Sequence, residues 1–209
     1  MRIVHLFADL CNLYGDYGNV CALKRALENK GEAVEVIYQT VDDTIDLAEA
    51  DFVYIGSATE RNQKVAMEYL LPYRDNIKTA LDKGTVILAT GNSFEIFGKS
   101  VTDCEGTRHD GLDLFGYETV EGKERIVTDS LCSTTLCDGD IIGFINKASY
   151  TSGADSPMFS VKQGSGNDKD DLNEGVNYGS FYGTHLIGPL LIRNPKLCEA
   201  FADMLIKQK

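Results

Sequence analysis

Residues 84–98 read GTVILATGNSFEIFG. Residues 85–89 form a short apolar, β-rich run without polar alternation, the pattern of a central parallel strand covered on both faces. Gly91 breaks the run, Asn92 or Ser93 can cap the next element, and Phe94, Ile96 and Phe97 open a short helix that Gly98 ends. A strand that turns sharply into a helix is how many hydrolases lift a nucleophile above a sheet and surround it with backbone N–H groups. Here the residue at the apex is Gly91, which has no side chain.

The chain upstream of this turn alternates. Residues 2–7 read as a first strand, and residues 8–19, ADLCNLYGDYGN, as a glycine-bearing loop leading into a helix. Asn19 is the expected N-cap of that helix, Val20, Leu23, Ala26 and Leu27 share one face, and Gly31 stops it. Strands are expected over residues 33–39 and 51–55. The next loop, GSATERNQ at residues 56–63, lies at the C-terminal end of a strand, where open α/β sheets bind ligands, although it also reads as an ordinary turn and helix start. Helical patterning over residues 65–71 pauses at Pro72, resumes over 74–83 and stops at Gly84. Strand and helix in alternation make the first half α/β.

Downstream the pattern changes. Residues 125–129, 131–137, 141–144 and 158–162 are short β-like pieces joined by turns bearing glycine and aspartate. Residues 180–182 read as one more strand, GTHLIGPLL as a loop, and residues 195–206 as a final helix with Pro195 in its first turn. No repeat or linker divides the chain, so one domain over residues 1–209 is expected: an α/β sandwich with a central, mostly parallel sheet and a β-rich second half.

Composition narrows the function classes. With 209 residues, 43% of them hydrophobic, the chain can bury a full core. Its apolar runs are too short to span a bilayer, and MRIVHLFADL lacks the features of a signal peptide, so no membrane span and a cytoplasmic location are expected. A net charge of −12 without any Lys/Arg cluster argues against a nucleic acid partner. The acidic stretch NDKDDLNE at residues 167–174 reads as a solvated turn. The 6 cysteines are scattered, which suits reduced and mostly buried thiols; Cys104, Cys132, Cys137 and His109 lack the paired spacing of a zinc site, so no metal and no cofactor are expected.

Taken together, DLCNLYGDYGN, the IGS–ERNQ loop, the 84–98 segment, GLDLFGYET, GFIN at residues 143–146 and GTHLIGPLLIRNP at residues 183–195 resemble the class I glutamine amidotransferases of the cobyric acid synthase type. Within that family the chain is most similar to the amidotransferase subunits of lipid II isoglutaminyl synthase. The resemblance spans nearly the whole chain in family order and implies a three-layer, flavodoxin-like sandwich. It also implies glutamine hydrolysis by a cysteine on the elbow with a histidine base, and delivery of ammonia to a Mur-ligase-like synthetase in cell-wall or cobalamin-like chemistry.

The same resemblance places Gly91 on the nucleophile and Ile187 on the histidine. Asn92 and Ser93 stand on two family glycines, Phe94 on an aromatic residue and Glu95 on a glutamine. His185 stands on a tyrosine, two positions before the base. Arg125 matches a glutamine-contacting arginine, Asn146 belongs to an eroded mid-chain motif, and Arg61 and Gln63 persist in the loop that begins Gly56, Ser57. Three readings are open. The first is a pseudo-amidotransferase that binds a partner or a small ligand such as glutamine through Gly56, Ser57, Arg61, Gln63, Asn92, Arg125 and Asn146. The second is altered chemistry with Ser93 or Thr90 as nucleophile and His185 as base. The third is a residual glutaminase subunit. Tyr69, Tyr73 and Phe181 are candidate surface apolar residues for a partner interface.

Overall fold

Residues at alternate positions along a strand point to opposite faces, and in this chain both faces of the central strands are apolar. The computed structural model describes residues 1–208. Strand β1 (Arg2–Leu6) leads through a loop to helix α1 (Tyr17–Asn29), followed by β2 (Glu35–Gln39), β3 (Phe52–Ile55), α2 (Glu60–Leu70), α3 (Arg74–Asp82) and β4 (Val86–Thr90). A tight 3₁₀ turn over Gly91–Phe97 ends β4 and opens the second half. There, β5 (Ser100–Thr102), β6 (Arg108–Asp110), β7 (Glu118–Ser133), β8 (Asp140–Ser152), β9 (Phe159–Gln163) and β10 (Asn173–Glu174) build a second sheet. The chain then returns to the first sheet with β11 (Val176–Tyr178) and β12 (Phe181–Thr184), and closes with α4 (Leu190–Arg193) and α5 (Pro195–Gln208).

The first sheet has the order β11-β12-β4-β3-β1-β2 and is parallel except at the β11–β12 edge. This is the mixed α/β architecture expected from the alternation of elements. Its core divides by parity. Val53, Ile55, Ile87 and Ala89 pack against α2 and α3, while Phe52, Tyr54, Val86 and Leu88 pack against α1 and α5. The long antiparallel hairpin of β7 and β8, 16 and 13 residues, carries the second sheet toward the turn that ends β4.

Local expectations differ from the structure in instructive ways. Asn19 does not cap α1. The helix starts earlier, at Tyr17, whose N–H donates to the Asn12 side chain at 2.8 Å, and Asn19 lies inside it. Its buried amide donates to the Tyr54 hydroxyl and accepts from the Leu191 N–H, both at 2.7 Å, tying α1 to β3 and α4. The pieces at 125–129 and 131–133 belong to one strand that begins at Glu118 and whose largely polar first residues 118–121 pair through their backbones with β8, a bond that hydrophobic patterning does not register, while residues 134–137 lie beyond the strand in the connection to β8. Phe181 is fully buried rather than a surface residue, since β12 sits beside β4 and its ring packs 4.5 Å from Phe97. Tyr69 is exposed and Tyr73 half-buried. The acidic stretch is solvated only in its middle: Asn167 and Glu174 at its ends are buried.

All cysteines are free, with Cys11, Cys132 and Cys198 buried, Cys137 intermediate, and Cys21 and Cys104 exposed. No helix among the described residues is long and apolar enough to cross a membrane, and no group of three potential metal ligands occurs among them.

Removing the Asn19 amide leaves a buried N–H of Leu191 without its acceptor, so Asn19→Ala is expected to cost about 1–3 kcal/mol, read as a lower urea midpoint. A second prediction concerns His5, buried in β1 with both ring nitrogens unpartnered among the described residues and lying 5.2 Å from the Tyr54 ring. Burial pushes its pKa down from 6.5 to about 4. As pH falls below 6.5 the unfolded chain takes up a proton that the folded chain refuses, so stability is lost toward pH 4, by roughly 3 kcal/mol at most. Asp16, raised by burial to about 6, acts in the opposite sense over this window. The expected result is therefore a difference: between pH 7 and 4.5, the urea midpoint of His5→Phe falls less than that of the wild type.

A cleft at the strand-to-turn elbow

The end of β4 and the loop after β3 meet at one point. Gly91 has φ +64°, in the left-handed region that glycine tolerates. A Cβ on this residue would lie 2.4 Å from the Ser57 Cβ and 3.0 Å from its Oγ, closer than packed atoms come. Ser57 is held there by Asp16, whose Oδ2 accepts from the Ser57 N–H at 2.7 Å and from the Ser57 hydroxyl. Gly56 makes the seat possible, because a Cβ on it would meet the Cys11 carbonyl at 2.5 Å and the Asp16 Cβ at 2.8 Å.

Asn92 and Ser93 do not cap the turn that they begin. Ser93 Oγ donates to the Gly56 carbonyl at 2.5 Å, and Asn92 Oδ1 accepts from the Ala58 N–H at 3.0 Å. Both side chains are spent on fastening the elbow to the β3–α2 loop. Gln63, buried on α2, donates to the Asn92 carbonyl and to the Glu95 carboxylate, each at 2.6 Å.

These residues floor a cleft of about 260 Å³. Ser57, Gln63, Gly91, Asn92 and Ile187 line its inner part, and Arg125 and Asn146 line it from the hairpin. Arg125 donates to Asn146 Oδ1 at 2.9 Å and pairs with Glu60, while Asn146 donates to the Tyr14 hydroxyl at 2.8 Å. Ile187 is 2% exposed and anchored by its N–H to the Phe144 carbonyl at 2.9 Å. Of the seven ligand-contact candidates, five line this cleft. Gly56 contributes only its backbone to the seat of Ser57, and Arg61 is an exposed residue of α2 outside the lining.

The alternative nucleophile and base candidates do not converge. Thr90 Oγ1 is bonded to the Tyr54 hydroxyl at 2.6 Å, on the α1 side of the sheet, and Ser93 is committed to Gly56. His185 is buried outside the cleft lining, edge-on to Phe94 at 4.6 Å, with Nε2 3.1 Å from Glu95 Oε1. Its own N–H donates to Glu174 at 2.7 Å. Glu95 also accepts from the Ser149 hydroxyl at 2.5 Å. Burial opposes its charge, but the bonds from His185, Ser149 and Gln63 outweigh burial and hold its pKa below the usual carboxylate range. His185 is thus a partner of a buried carboxylate and hydrogen-bonds to neither hydroxyl, each of which has another partner.

Asp16, Ser149 and Glu174 also form the site without standing among the sequence candidates, and Glu95, placed on a family glutamine, is its buried charge. Asp16 stood in view inside the quoted DLCNLYGDYGN, where a carboxylate between two glycines marks a tight loop. Nothing local in the sequence marks Ser149 or Glu174, because their partners are 54 and 10 residues away respectively.

The profile of the CobB/CobQ-like glutamine amidotransferase domain matches residues 2–195. The chain is 28% identical to the lipid II isoglutaminyl synthase (glutamine-hydrolyzing) subunit GatD of Streptococcus pneumoniae, covering 100% of this chain and 82% of that one. Against the subunit of the same name from Staphylococcus aureus it is 28% identical, over 100% and 86% of the two chains. Among solved structures, a glutamine amidotransferase from Thermotoga maritima superposes with a TM-score of 0.59 at 13% identity, covering 100% of this chain and 85% of that one, a likeness of fold. With the match spanning both sheets and every element around the elbow, the chain belongs to the CobB/CobQ-like glutamine amidotransferase family.

Proposed function

We propose that this protein is an amidotransferase-family subunit that does not hydrolyse glutamine. In this reading it holds an amino-acid-sized ligand, glutamine or a relative of it, in the elbow cleft and works in the cytoplasm beside a Mur-ligase-like synthetase. The observation that supports this most is the fit of Ser57 against Gly91. A thiol nucleophile at the apex needs a Cβ, and the position that Cβ would take lies 2.4 Å from the Ser57 Cβ. At the position that the family resemblance assigns to the base, Ile187 offers hydrocarbon. Nucleophile and base act as one unit, so a site without both gives up nearly all of the thiol-dependent rate.

What the cleft retains suits binding. At its mouth Arg125 and Glu60 stand side by side, a cation and an anion placed to meet the carboxylate and ammonium groups of an amino acid. Gln63 and Asn92 add amide groups farther in, and Asn146 adds one beside Arg125. The role as a subunit is supported by the two GatD relatives, which are named as subunits of a synthase.

Purified wild-type protein is expected to release no ammonia from glutamine. Gly91→Cys with Ile187→His is expected to remain inactive and to lower the melting temperature, because the new side chain collides with Ser57 in a strained backbone region. Adding Ser57→Gly to that pair removes the collision, and this triple variant is expected to release ammonia. Glutamine hydrolysis by the wild type, lost on substitution at the elbow, would overturn the proposal. Binding is checked by calorimetry with glutamine, with Arg125→Ala expected to weaken it about tenfold or more.

A further inference from the structure

We infer that Ser57 and Asp16 form a serine–carboxylate dyad that can attack small esters or activated amides seated in the elbow cleft. This deepens the preceding proposal and rests on its claim that no elbow thiol operates, since the dyad occupies the place that such a side chain would need.

The geometry assigns the parts. Ser57 lines the cleft next to Gly91, and its Oγ is 3.0 Å from the position where a side chain at the apex would begin. A nucleophile at that spot faces the same cleft, about 260 Å³, which is room for a substrate about the size of an amino-acid derivative. The hydroxyl donates to Asp16 Oδ2, the arrangement in which a carboxylate takes the proton of an attacking alcohol. The Ser57 N–H donates to the same oxygen, which fixes the orientation of the pair. Asp16 is fully buried and its Oδ1 has no partner among the described residues, so few hydrogen bonds stabilise its charge. Burial lifts its pKa to about 6, against the bonds from Ser57 that lower it, and this leaves a base stronger than an ordinary carboxylate yet ionised at neutral pH.

A donor for the developing oxyanion is also at hand. Asn92 lines the cleft, its Oδ1 is held by the Ala58 N–H, and its Nδ2 makes no hydrogen bond among the described residues. The steps balance without any further reagent but water. Ser57 Oγ bonds to the carbonyl carbon while its proton passes to Asp16. The tetrahedral adduct then expels the alcohol or amine, which leaves with that proton. Water next attacks the acyl-serine, giving a proton to Asp16, and collapse of the second adduct returns it to Ser57 and releases the carboxylic acid.

The test uses the intact protein with a fluorophosphonate, a reagent that phosphonylates activated serines, and maps the adduct by peptide mass spectrometry. One adduct on Ser57 is expected. Its rate should rise about tenfold per pH unit below about 6 and level off above that, as Asp16 ionises. Asp16→Asn should slow labelling about 100-fold, Ser57→Ala should abolish it, and both should reduce p-nitrophenyl acetate hydrolysis in parallel. Far-UV circular dichroism and urea midpoints establish that the variants are folded, and the mapped site in the wild type stands without them. No adduct on Ser57 of the folded wild type, or ester hydrolysis unchanged in Ser57→Ala, overturns the inference. Ammonia release from glutamine, measured separately, decides the preceding proposal: its absence together with an unlabelled Ser57 sinks the dyad alone, and its presence sinks the binder whichever residue is labelled.

Discussion

A carboxylate buried without partners costs several kcal/mol, and Glu95 is fully buried in the elbow turn. What makes its burial tolerable is a set of donors drawn from three distant parts of the chain: Gln63 on α2, Ser149 on β8 and His185 after β12. Each must be in place for the charge to be satisfied. The two sheets are therefore joined at the elbow by an interaction that no one segment supplies, and the cleft exists because the hairpin is held against the turn. Glu174 extends the arrangement by accepting from Thr184 and from the backbone of His185, which fixes the segment that carries Ile187.

The second constraint is steric. Gly91 and Gly56 let two loops approach more closely than any larger residues would allow, and the Asp16–Ser57 bonds hold that approach. A substitution at the apex is thus coupled to the loop after β3, so the elbow and its neighbouring loop behave as one unit. This is why the chemistry of the site is better read from the space around Gly91 than from the identity of Gly91 alone.

Much of the fold was legible in the sequence because burial on both faces leaves a strong trace. The run VILA in β4 and the helical faces of α1 and α5 are apolar where the sheet requires it. The hairpin was less legible: residues 145–151 of β8 alternate buried and half-buried positions but include Asn146, Lys147, Ser149 and Thr151, polar groups whose partners lie on other strands and loops. For the site, the resemblance to the family singled out Ser57, Gln63, Asn92, Arg125 and Asn146, which the fold places around one cleft. It could not reveal that His185 turns toward Glu95, since that depends on a carboxylate 90 positions earlier. Nor could it reveal that Ser93 and Thr90 are committed elsewhere, which only the packing of β3 against β4 decides.

The placement of β12 beside β4 has a consequence for how the chain comes to be folded. β4 is the strand that bears the elbow, yet one of its two neighbours is encoded near the other end of the chain. Until residues 181–184 emerge from the ribosome, Val86–Thr90 presents an open, uncharged edge of high β propensity, the kind of edge that pairs with other chains. Such a long-range pairing is closed slowly. A chain that stops before β12 therefore leaves that edge of β4 unpaired and open to other chains.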